Sequence, residues 1–332
     1  MKKIFWHLYR KINRLPKMVR IEACSLCQLD CKDCYMRNSQ NRTIIGNGYL
    51  KYEKFKSFIE KNPYVESIEL SFSGEIFLNP ELIEIIKFAH SKNIQLTAFN
   101  GVNFNNISDE ILEVLVKYKF TGLTISIDGA SNETYIKYRR NGNFNDLISN
   151  IEKLNKYKEK YNSKFPILRW QYIVFEHNRK EINQAIDLAI ELKMADIYFK
   201  NPWNKDIQIY KIPESSKRKL LEMKNSLESD QEVKNILSKN QIPICNQLWI
   251  QPQINWDGRL LGCCCSTNNE LNINVFDTNL KKALNCKQMK YMRNVLKGKE
   301  KSVKNIACEK CIFFEEIYKR KQFVNEKEFK FG

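Results

Sequence analysis

Apolar and polar residues alternate in two recurring patterns between residues 19 and 200. Short runs rich in β-branched and aromatic residues indicate buried strands. Longer stretches with an apolar residue at every third or fourth position indicate amphipathic helices. The predicted strands cover 19–23, 67–72, 95–99, 123–127, 170–175 and 197–199. The predicted helices between them lie near 52–61, 80–92, 109–119, 144–160 and 179–193.

Two of these helices have clear start signals. Asn79 is expected to cap the second helix, because Pro80 follows it and proline is favoured at the first helical position. Asn178 and Glu181 have the spacing of a capping box at the start of the fifth. Six strand–helix units in a row predict an α/β fold of the partial (β/α)6 TIM-like barrel type, with a parallel sheet. Functional residues in such folds gather at the carboxyl ends of the strands.

The sequence changes character after the sixth strand. A charged helical stretch over 213–239 acts as a connector, and most of the cysteines lie beyond it. Residues 254–261 predict a β-hairpin with its turn at Asp257 and Gly258. The predicted organisation has a basic amphipathic segment, a core domain, a helical connector and a small cysteine-rich domain, with bounds 1–18, 19–208, 209–240 and 241–332.

Composition indicates a globular protein that stays in the cytoplasm. The 332 residues are 43% hydrophobic and 28% charged, enough for a large core. No apolar run approaches the length of a membrane span, and the first residues lack the features of a signal peptide. In a reducing compartment, eleven cysteines favour metal ligation over disulfides.

The net charge of +17 has two readings. Nucleic-acid binding is one, but lysine and glutamate alternate along the helices, which favours a solvated surface and no nucleic-acid partner. The first twenty residues are more distinctive, since they contain seven Lys or Arg and no acid, with apolar residues between them. Such a helix either packs against its own domain or makes a weak contact with an anionic membrane surface.

Cys27, Cys31 and Cys34 have the spacing C-x3-C-x2-C, directly after the first predicted strand. Three thiolates on one loop can hold three irons of a [4Fe-4S] cluster and leave the fourth iron open to another ligand. A zinc site would need a fourth protein ligand, and the nearest candidate, Cys24, breaks the usual paired spacing.

This spacing resembles the signature of the radical S-adenosylmethionine (radical SAM) enzymes, in which SAM chelates the open iron through its amino and carboxylate groups. The sequence Ser73-Gly74-Glu75 resembles the Gly-Gly-Glu motif of that family, with Ser73 in place of the first glycine. The resemblance implies that Gly74 and Glu75 line the SAM amino group. A backbone that runs past a ligand needs a small residue, and a carboxylate accepts from a cationic amine.

The segment 126–129 (Ser-Ile-Asp-Gly) resembles the Ser-x-Asp-Gly segment of the same family, with its downstream arginine. The resemblance implies that Ser126 and Arg139 bind the SAM carboxylate. A guanidinium suits that role because it can donate two parallel hydrogen bonds. Arg140 is an alternative to Arg139, and Asn100-Gly101, at the end of the third strand, is a further family-like element.

One position departs from the family pattern. The family usually has an aromatic residue directly before the third cysteine, where it flanks the adenine. Asp33 occupies that position here, and the nearest aromatic residue, Tyr35, is out of register. The resemblance therefore leaves the adenine contact unassigned.

The C-terminal cysteines are similar to the SPASM/twitch domains that follow many radical SAM cores. The four cysteines with matching spacing are Cys245, Cys263, Cys308 and Cys311. By this resemblance they hold a second, auxiliary [4Fe-4S] cluster, and since no cysteine follows the last of them, the one-cluster twitch type fits better.

Two alternatives stay open for this C-terminal set. Cys264 or Cys265 could replace Cys263, because the three are adjacent, and structural zinc could replace the cluster. Cys24 and Cys286 are left over and are expected to be buried small side chains.

The resemblance implies that a flavodoxin- or ferredoxin-type donor reduces the core cluster, that SAM is cleaved to a 5′-deoxyadenosyl radical, and that this radical abstracts a substrate hydrogen. The auxiliary cluster then accepts an electron, which favours an oxidation. Only 23 residues precede Cys24, too few for a peptide-recognition domain, so we expect a small polar substrate such as a sugar or cyclitol. A peptide-modifying enzyme is the alternative, and a zinc-stabilised nucleic-acid-binding protein is the alternative from another class.

Overall fold

The computed structural model of the protein describes residues 2–202, 214–239, 244–263, 271–301, 308 and 311–329. By packing, the chain divides into two compact units. The first unit comprises Met1–Leu26, Asn38–Gln95 and Ile242–Gly332. The second comprises Cys27–Arg37 and Leu96–Gln241. Each unit therefore gathers segments that lie far apart in the sequence.

Strands and helices alternate through most of the described chain. The strands are β1 (Met18–Ile21), β2 (Ser67–Glu69), β3 (Gln95–Val102), β4 (Gly122–Ser126), β5 (Ile167–Ile173), β6 (Asp196–Lys200), β7 (Gln253–Ile254) and β8 (Leu260–Gly262). The helices are α1 (Lys2–Ile12), α2 (Ser39–Ile45), α3 (Tyr52–Lys61), α4 (Leu82–Ser91), α5 (Asp109–Lys117), α6 (Asn132–Tyr138), α7 (Phe144–Lys160), α8 (Ile182–Glu191), α9 (Glu214–Ser229), α10 (Gln231–Lys239), α11 (Gln247–Ile250), α12 (Leu280–Leu284), α13 (Lys287–Leu296) and α14 (Ile312–Arg320).

In the first unit, β1 pairs in parallel with both β2 and β7, and β7 pairs antiparallel with β8. All four residues of β1 are buried, as expected for a strand that is paired on both edges. The predicted hairpin is confirmed. Gly258 occupies the turn with a φ of +91°, which favours glycine, and its N–H donates to the carbonyl oxygen of Asn255 at 2.9 Å.

The hairpin attaches the C-terminal residues to the first unit. The side chains of Asn255, Trp256 and Arg259 all donate to the carbonyl oxygen of Ile45, the last residue of α2, at 2.9, 3.0 and 3.0 Å. The predicted boundaries at 208/209 and 240/241 lie outside the described residues, so the division into four segments stays a prediction.

In the second unit, the strands lie in the order β6-β5-β4-β3 and are all parallel. Because side chains alternate along a strand, Leu123, Ile125 and Trp170 share one buried, apolar face. The register places polar residues on the other face of the same strands. This polar face comprises Thr124, Ser126, Arg169, Gln171 and Lys200.

The predicted α/β class is confirmed. Each predicted strand is present with bounds shifted by a few residues, and α3 and α7 have the predicted bounds. The connector is helical in its described part, as α9 and α10. The short helices α2 and α6 were not predicted, because one or two turns give too few positions for a periodic pattern.

The predicted cap at Asn79 is present as a hydrogen bond, since Oδ1 of Asn79 accepts from the Glu81 N–H at 2.8 Å. Helix α4 begins at Leu82, and Glu81 occupies its N-cap position. Asn79 is buried, and its amide donates to the carbonyl oxygens of Ala23 and Leu50 at 2.9 and 3.0 Å. An asparagine offers two donors as well as an acceptor. Here the donors are used to join two distant chain segments.

The predicted capping box at Asn178 and Glu181 is wrong. The Asn178 side chain makes no cap bond and instead donates to the backbone carbonyl of Asp128 at 3.1 Å. The Glu181 carboxylate accepts from the Ala130 N–H at 2.8 Å and from the Thr134 hydroxyl at 2.6 Å. Both side chains therefore fix the loop that follows β4.

Candidate iron–sulfur and SAM site

The cysteine loop of the second unit carries three thiols in different environments. Cys31 is buried, Cys34 is half-buried and Cys27 is exposed. A tight turn joins the last two, since the Cys34 N–H donates to the Cys31 carbonyl oxygen at 3.1 Å. Asp33, which takes the place of the family's aromatic residue, is exposed.

Polar side chains of the same unit contact two of these sulfurs. Nδ2 of Asn103 lies 3.6 Å from Sγ of Cys27, and Nη1 of Arg139 lies 3.8 Å from Sγ of Cys31. Burial raises the pKa of the Cys31 thiol, and the positive charge of Arg139 opposes that shift. Three thiols on one loop with amide and guanidinium donors beside them fit an iron–sulfur cluster, whose sulfurs accept such hydrogen bonds.

The cysteine ligands themselves stay predictions. Within the described part of the chain, no three Cys, His, Asp or Glu side chains lie at metal-binding separations. This holds for the loop cysteines and for the C-terminal set alike. Their assignment therefore rests on the motifs and on the surrounding donors.

Arg139 forms a buried ion pair with Asp128. Its Nε donates to Oδ2 of Asp128 at 2.5 Å, and Oδ1 of that carboxylate accepts from the Ile173 N–H at 2.6 Å. Burial lowers the pKa of Arg139, but Asp128 together with Cys31, Tyr135 and Tyr138 raises it above its usual value, so the guanidinium stays charged. Arg140, the alternative, is exposed. The structure thus brings the side chain of Arg139 to Cys31. Arg140 contacts the loop through its backbone, since its carbonyl oxygen accepts from the Asp30 N–H at 3.0 Å.

Ser126, the last residue of β4, is buried on the polar face of the second unit. Gly101 lies beside it with a φ of +123°. A Cβ on Gly101 would lie 2.7 Å from Oγ of Ser126, closer than real Cβ contacts. The glycine therefore leaves room for the serine hydroxyl.

Gly74 and Glu75 belong to the first unit. A Cβ on Gly74 would lie 2.3 Å from the carbonyl oxygen of Cys24, so only glycine fits there. The N–H of Glu75 donates to the carbonyl oxygen of Leu26 at 2.7 Å. Glycine is thus required at position 74 because the backbone just before the cysteine loop packs against it. The reason expected from the motif was different, namely a backbone that runs past a ligand. Glu75 is buried, and its carboxylate also accepts from the Phe77 N–H.

Glu22 contacts the candidate SAM motif, although no sequence motif indicated it as a site residue. It directly follows β1, and its buried carboxylate accepts from the N–H groups of Ser73, at 2.9 Å, and Gly74, at 3.1 Å. Burial raises the pKa of Glu22 to about 8, although these backbone hydrogen bonds oppose the shift. The signal available in the sequence was an acid among the mainly apolar residues of the predicted strand 19–23.

The C-terminal cysteines all belong to the first unit. Cys263 and Cys308 are buried, whereas Cys245 and Cys311 are half-buried. Cys311 lies directly before α14, and Cys263 directly after β8. The alternatives Cys264 and Cys265 lie outside the described residues.

The two remaining cysteines have structural roles. Cys24 is fully buried, as expected, and burial raises the pKa of its thiol to about 11. Cys286 is half-buried instead of buried, because its sulfur accepts from the Met289 N–H and caps α13. Neither belongs to the candidate site.

The fold and the site together define an α/β protein with a cysteine loop after its first strand and cationic and hydroxyl groups at the end of the fourth. Residues 21–169 match the family model of the Radical SAM superfamily. This part of the chain is therefore a radical SAM domain. The family implies a [4Fe-4S] cluster, and the loop cysteines and their donors fit one.

Two curated relatives are similar in sequence. The AdoMet-dependent heme synthase of Methanosarcina barkeri (strain Fusaro / DSM 804) is 26% identical over 183 residues, 54% of this chain and 49% of the relative. The cysteine-type anaerobic sulfatase-maturating enzyme of Clostridium novyi (strain NT) is 28% identical over 153 residues, 42% of this chain and 40% of the relative. The chain thus spans about half or less of the curated relatives it matches.

Solved structures share the fold. The crystal structure of Streptococcus suis SuiB bound to precursor peptide SuiA has a TM-score of 0.60 at 15% identity, and covers 93% of this chain and 73% of its own. The likeness agrees with the predicted partial TIM-like barrel form of the α/β class. Within the described residues, no helix is long and apolar enough to cross a membrane.

The raised pKa of Glu22 predicts a loss of stability at high pH. The folded protein favours the neutral carboxyl, so its contribution is complete below the unfolded pKa near 4.5 and is lost as the pH rises through about 8. Thermal unfolding of the wild type should therefore occur at lower temperature at high pH. Glu22→Gln keeps an oxygen acceptor and cannot ionise. It should therefore reduce the difference in the free energy of unfolding between low and high pH by a few kcal/mol, since one pKa unit is worth ~1.4 kcal/mol.

The matched control is Glu84→Gln, at an exposed position of α4, which should unfold with the wild-type dependence on pH. The same pH dependence in Glu22→Gln and the wild type would show that Glu22 does not change its protonation on unfolding.

Proposed function

We propose that the protein is a radical SAM enzyme with the loop cysteines Cys27, Cys31 and Cys34 as ligands of its core cluster. The observation that carries the proposal is the contact of Arg139 with Cys31, inside the segment that matches the family. When bound there, a reduced [4Fe-4S] cluster supplies the electron that cleaves SAM to methionine and a 5′-deoxyadenosyl radical, which abstracts a substrate hydrogen.

The geometry supports roles for Arg139 and Ser126 toward the SAM carboxylate. Asp128 and Cys31 fix two edges of the guanidinium, so its direction is set before a ligand arrives. Preorganised donors of this kind bind a carboxylate at lower entropic cost than a mobile side chain. In the first unit, Gly74 and Glu75 are proposed to line the amino group of SAM, as the motif implies.

The test of the core proposal is cleavage of SAM. The protein, purified without oxygen, reconstituted with iron and sulfide and then reduced, should form 5′-deoxyadenosine from SAM. Cys31→Ser should lower that rate about 100-fold or more, because a hydroxyl is a poor iron ligand. Cys286→Ser is the control: its hydroxyl keeps the cap of α13, so activity should stay at the wild-type level.

Metal analysis of the same samples separates the alternatives. About eight irons per chain would agree with two clusters. A colourless protein with stoichiometric zinc would contradict the proposal and would favour the zinc-stabilised nucleic-acid-binding protein instead.

Arg139→Lys tests the SAM contact. Lysine keeps the charge but loses the two-donor edge, so the KM for SAM should rise about tenfold while iron content stays unchanged. Arg140→Lys, on the adjacent exposed residue, should leave the KM at its wild-type value. A raised KM in Arg140→Lys alone would transfer the role to Arg140. Loss of iron in Arg139→Lys would mean that the residue acts on the cluster and not on SAM.

We also propose a one-cluster twitch-type auxiliary site built from the C-terminal cysteines, with a flavodoxin- or ferredoxin-type donor for the core cluster. The described members of this set are Cys245, Cys263, Cys308 and Cys311. Their place in one compact unit supports a shared site. A second cluster with four thiolates could accept an electron from the substrate radical, which favours an oxidoreductase. The proposed location of the enzyme is the cytoplasm.

The polar face of the second unit supports a small polar substrate such as a sugar or cyclitol. The hydroxyl of Thr124 is fully buried there and has no hydrogen-bond partner among the described residues. Nearby, Oε1 of Gln171 accepts from Nζ of Lys200 at 2.8 Å, and Arg169 pairs with Asp196 at 2.7 Å. Hydroxyl, amide and amine groups on one sheet face can hydrogen-bond a polyhydroxylated molecule.

A peptide substrate is the second candidate. The name of the Clostridium novyi relative describes maturation of a sulfatase, and SuiB binds a precursor peptide. The name of the heme synthase relative mentions neither a sugar nor a peptide, so the relatives support more than one substrate type.

Substrate-stimulated formation of 5′-deoxyadenosine distinguishes the two classes. The dialysable small-molecule fraction of a cell extract should raise the rate, whereas the retained peptide and protein fraction should not. Gln171→Leu should reduce the stimulated part about tenfold, since it leaves a buried donor or hydroxyl of the substrate unpaired. Gln231→Leu, on the exposed side of α10, is the control. Stimulation by the retained fraction alone would favour the peptide.

A further inference from the structure

Helix α1 is attached to the first unit by one side only. The rings of Trp6 and Tyr9 lie 6.5 and 6.1 Å from the ring of the buried Tyr64. Arg10, on the same side, is also buried. Nζ of Lys281 lies 5.1 Å from the centre of the Tyr9 ring. These contacts fix which side of the helix faces the protein.

The opposite side of α1 exposes four large apolar side chains. Ile4 is 68% exposed, Phe5 58%, Leu8 52% and Ile12 81%. At about 100° per residue, the four fall within an arc of roughly 100° on the helix surface. This set, Ile4, Phe5, Leu8 and Ile12, is called the apolar arc below.

The apolar arc differs from the other exposed apolar residues of the described chain. Among the other described α-helices, those that carry such a residue carry only one, as α8 carries Ile190 and α9 carries Leu221. Single exposed apolar residues are ordinary on a protein surface, whereas a contiguous patch marks a contact surface. The clustering therefore points to a binding partner for α1.

The charges around the apolar arc identify the kind of partner. The first acid of the sequence is Glu22, so the helix has no negative side chain. The helix wheel places His7 and Lys11, both exposed, along one edge of the arc. Lys2 and Lys3 add positive charge at its start, and the whole chain carries +17. An apolar arc with a basic edge is typical of helices that lie in the surface of an anionic bilayer.

We propose that α1 binds an anionic lipid surface by inserting the apolar arc between the headgroups. Lys11, at the edge of the arc, contacts a lipid phosphate, and the helix stays docked on the first unit through Trp6 and Tyr9. A partner protein or a second copy of the chain would have to match this basic edge with acids. The surface charge favours lipid over a second copy, because α1 of that copy would bring the same positive charge. This inference is independent of the proposed enzymatic activity.

Vesicle flotation tests the proposal with the full-length, cluster-loaded protein. It should float with vesicles of phosphatidylcholine that contain roughly a third phosphatidylglycerol, and should not float with pure phosphatidylcholine. Added salt should weaken the binding, because the lipid charge is screened. The double substitution Phe5→Glu and Leu8→Glu should lower the bound fraction at least about tenfold, since both residues lie in the centre of the arc.

The matched control is the double substitution Ile190→Glu and Leu221→Glu, which places the same charges at exposed apolar positions outside α1. It should bind vesicles as the wild type does. Iron content and a melting curve show that both variants are folded.

Three results would overturn the proposal. They are equal flotation with neutral and anionic vesicles, wild-type flotation of the α1 variant, and a dimer in sedimentation that the α1 variant abolishes while vesicle binding is absent. The last would assign the apolar arc to a second copy of the chain.

Discussion

The buried ion pair of Asp128 and Arg139 is the interaction on which the second unit's site depends. Its carboxylate accepts from the Ile173 N–H at the end of β5, and its guanidinium reaches Cys31. The ends of β4, β5 and α6 are thereby tied to the cysteine loop. Removal of one member of such a pair leaves an uncompensated buried charge and typically costs ~3–5 kcal/mol. The position of Arg139 beside the thiol is therefore strongly determined.

The first unit uses a second buried carboxylate in a different way. Glu22 has no arginine or lysine as a hydrogen-bond partner among its described contacts, and it holds the backbone N–H groups of Ser73 and Gly74 instead. Because burial favours its neutral form, this contact is sensitive to pH. Gly74 completes the arrangement, since any side chain there would collide with Cys24. The cysteine loop of the second unit is thus fixed by charge. The loop that contains Ser73 and Gly74 in the first unit is fixed by backbone hydrogen bonds and close packing.

Two surfaces of the protein carry groups that its own fold does not satisfy. On the polar face of the second unit, the buried hydroxyl of Thr124 has no hydrogen-bond partner in the part of the chain that the structure describes, and α1 exposes the apolar arc. Both cost free energy in the isolated chain, the first through lost hydrogen bonds to water and the second through exposure of apolar area. Retention of such groups is the physical basis for assigning a ligand to each surface.

The sequence by itself determined the class of the protein. Hydrophobic periodicity located the strands and the long helices, because local patterns record which face is buried. The spacing of Cys27, Cys31 and Cys34, with Ser126 and Arg139 in order, was enough to indicate the radical SAM domain. Tertiary structure decided what these local patterns do not encode. It placed the side chain of Arg139, and not that of Arg140, beside Cys31, made Asn79 and Asn178 long-range donors, and gave Glu22 a structural role. Each of these depends on which distant backbone groups meet a buried side chain, and that is set only when the strands pair.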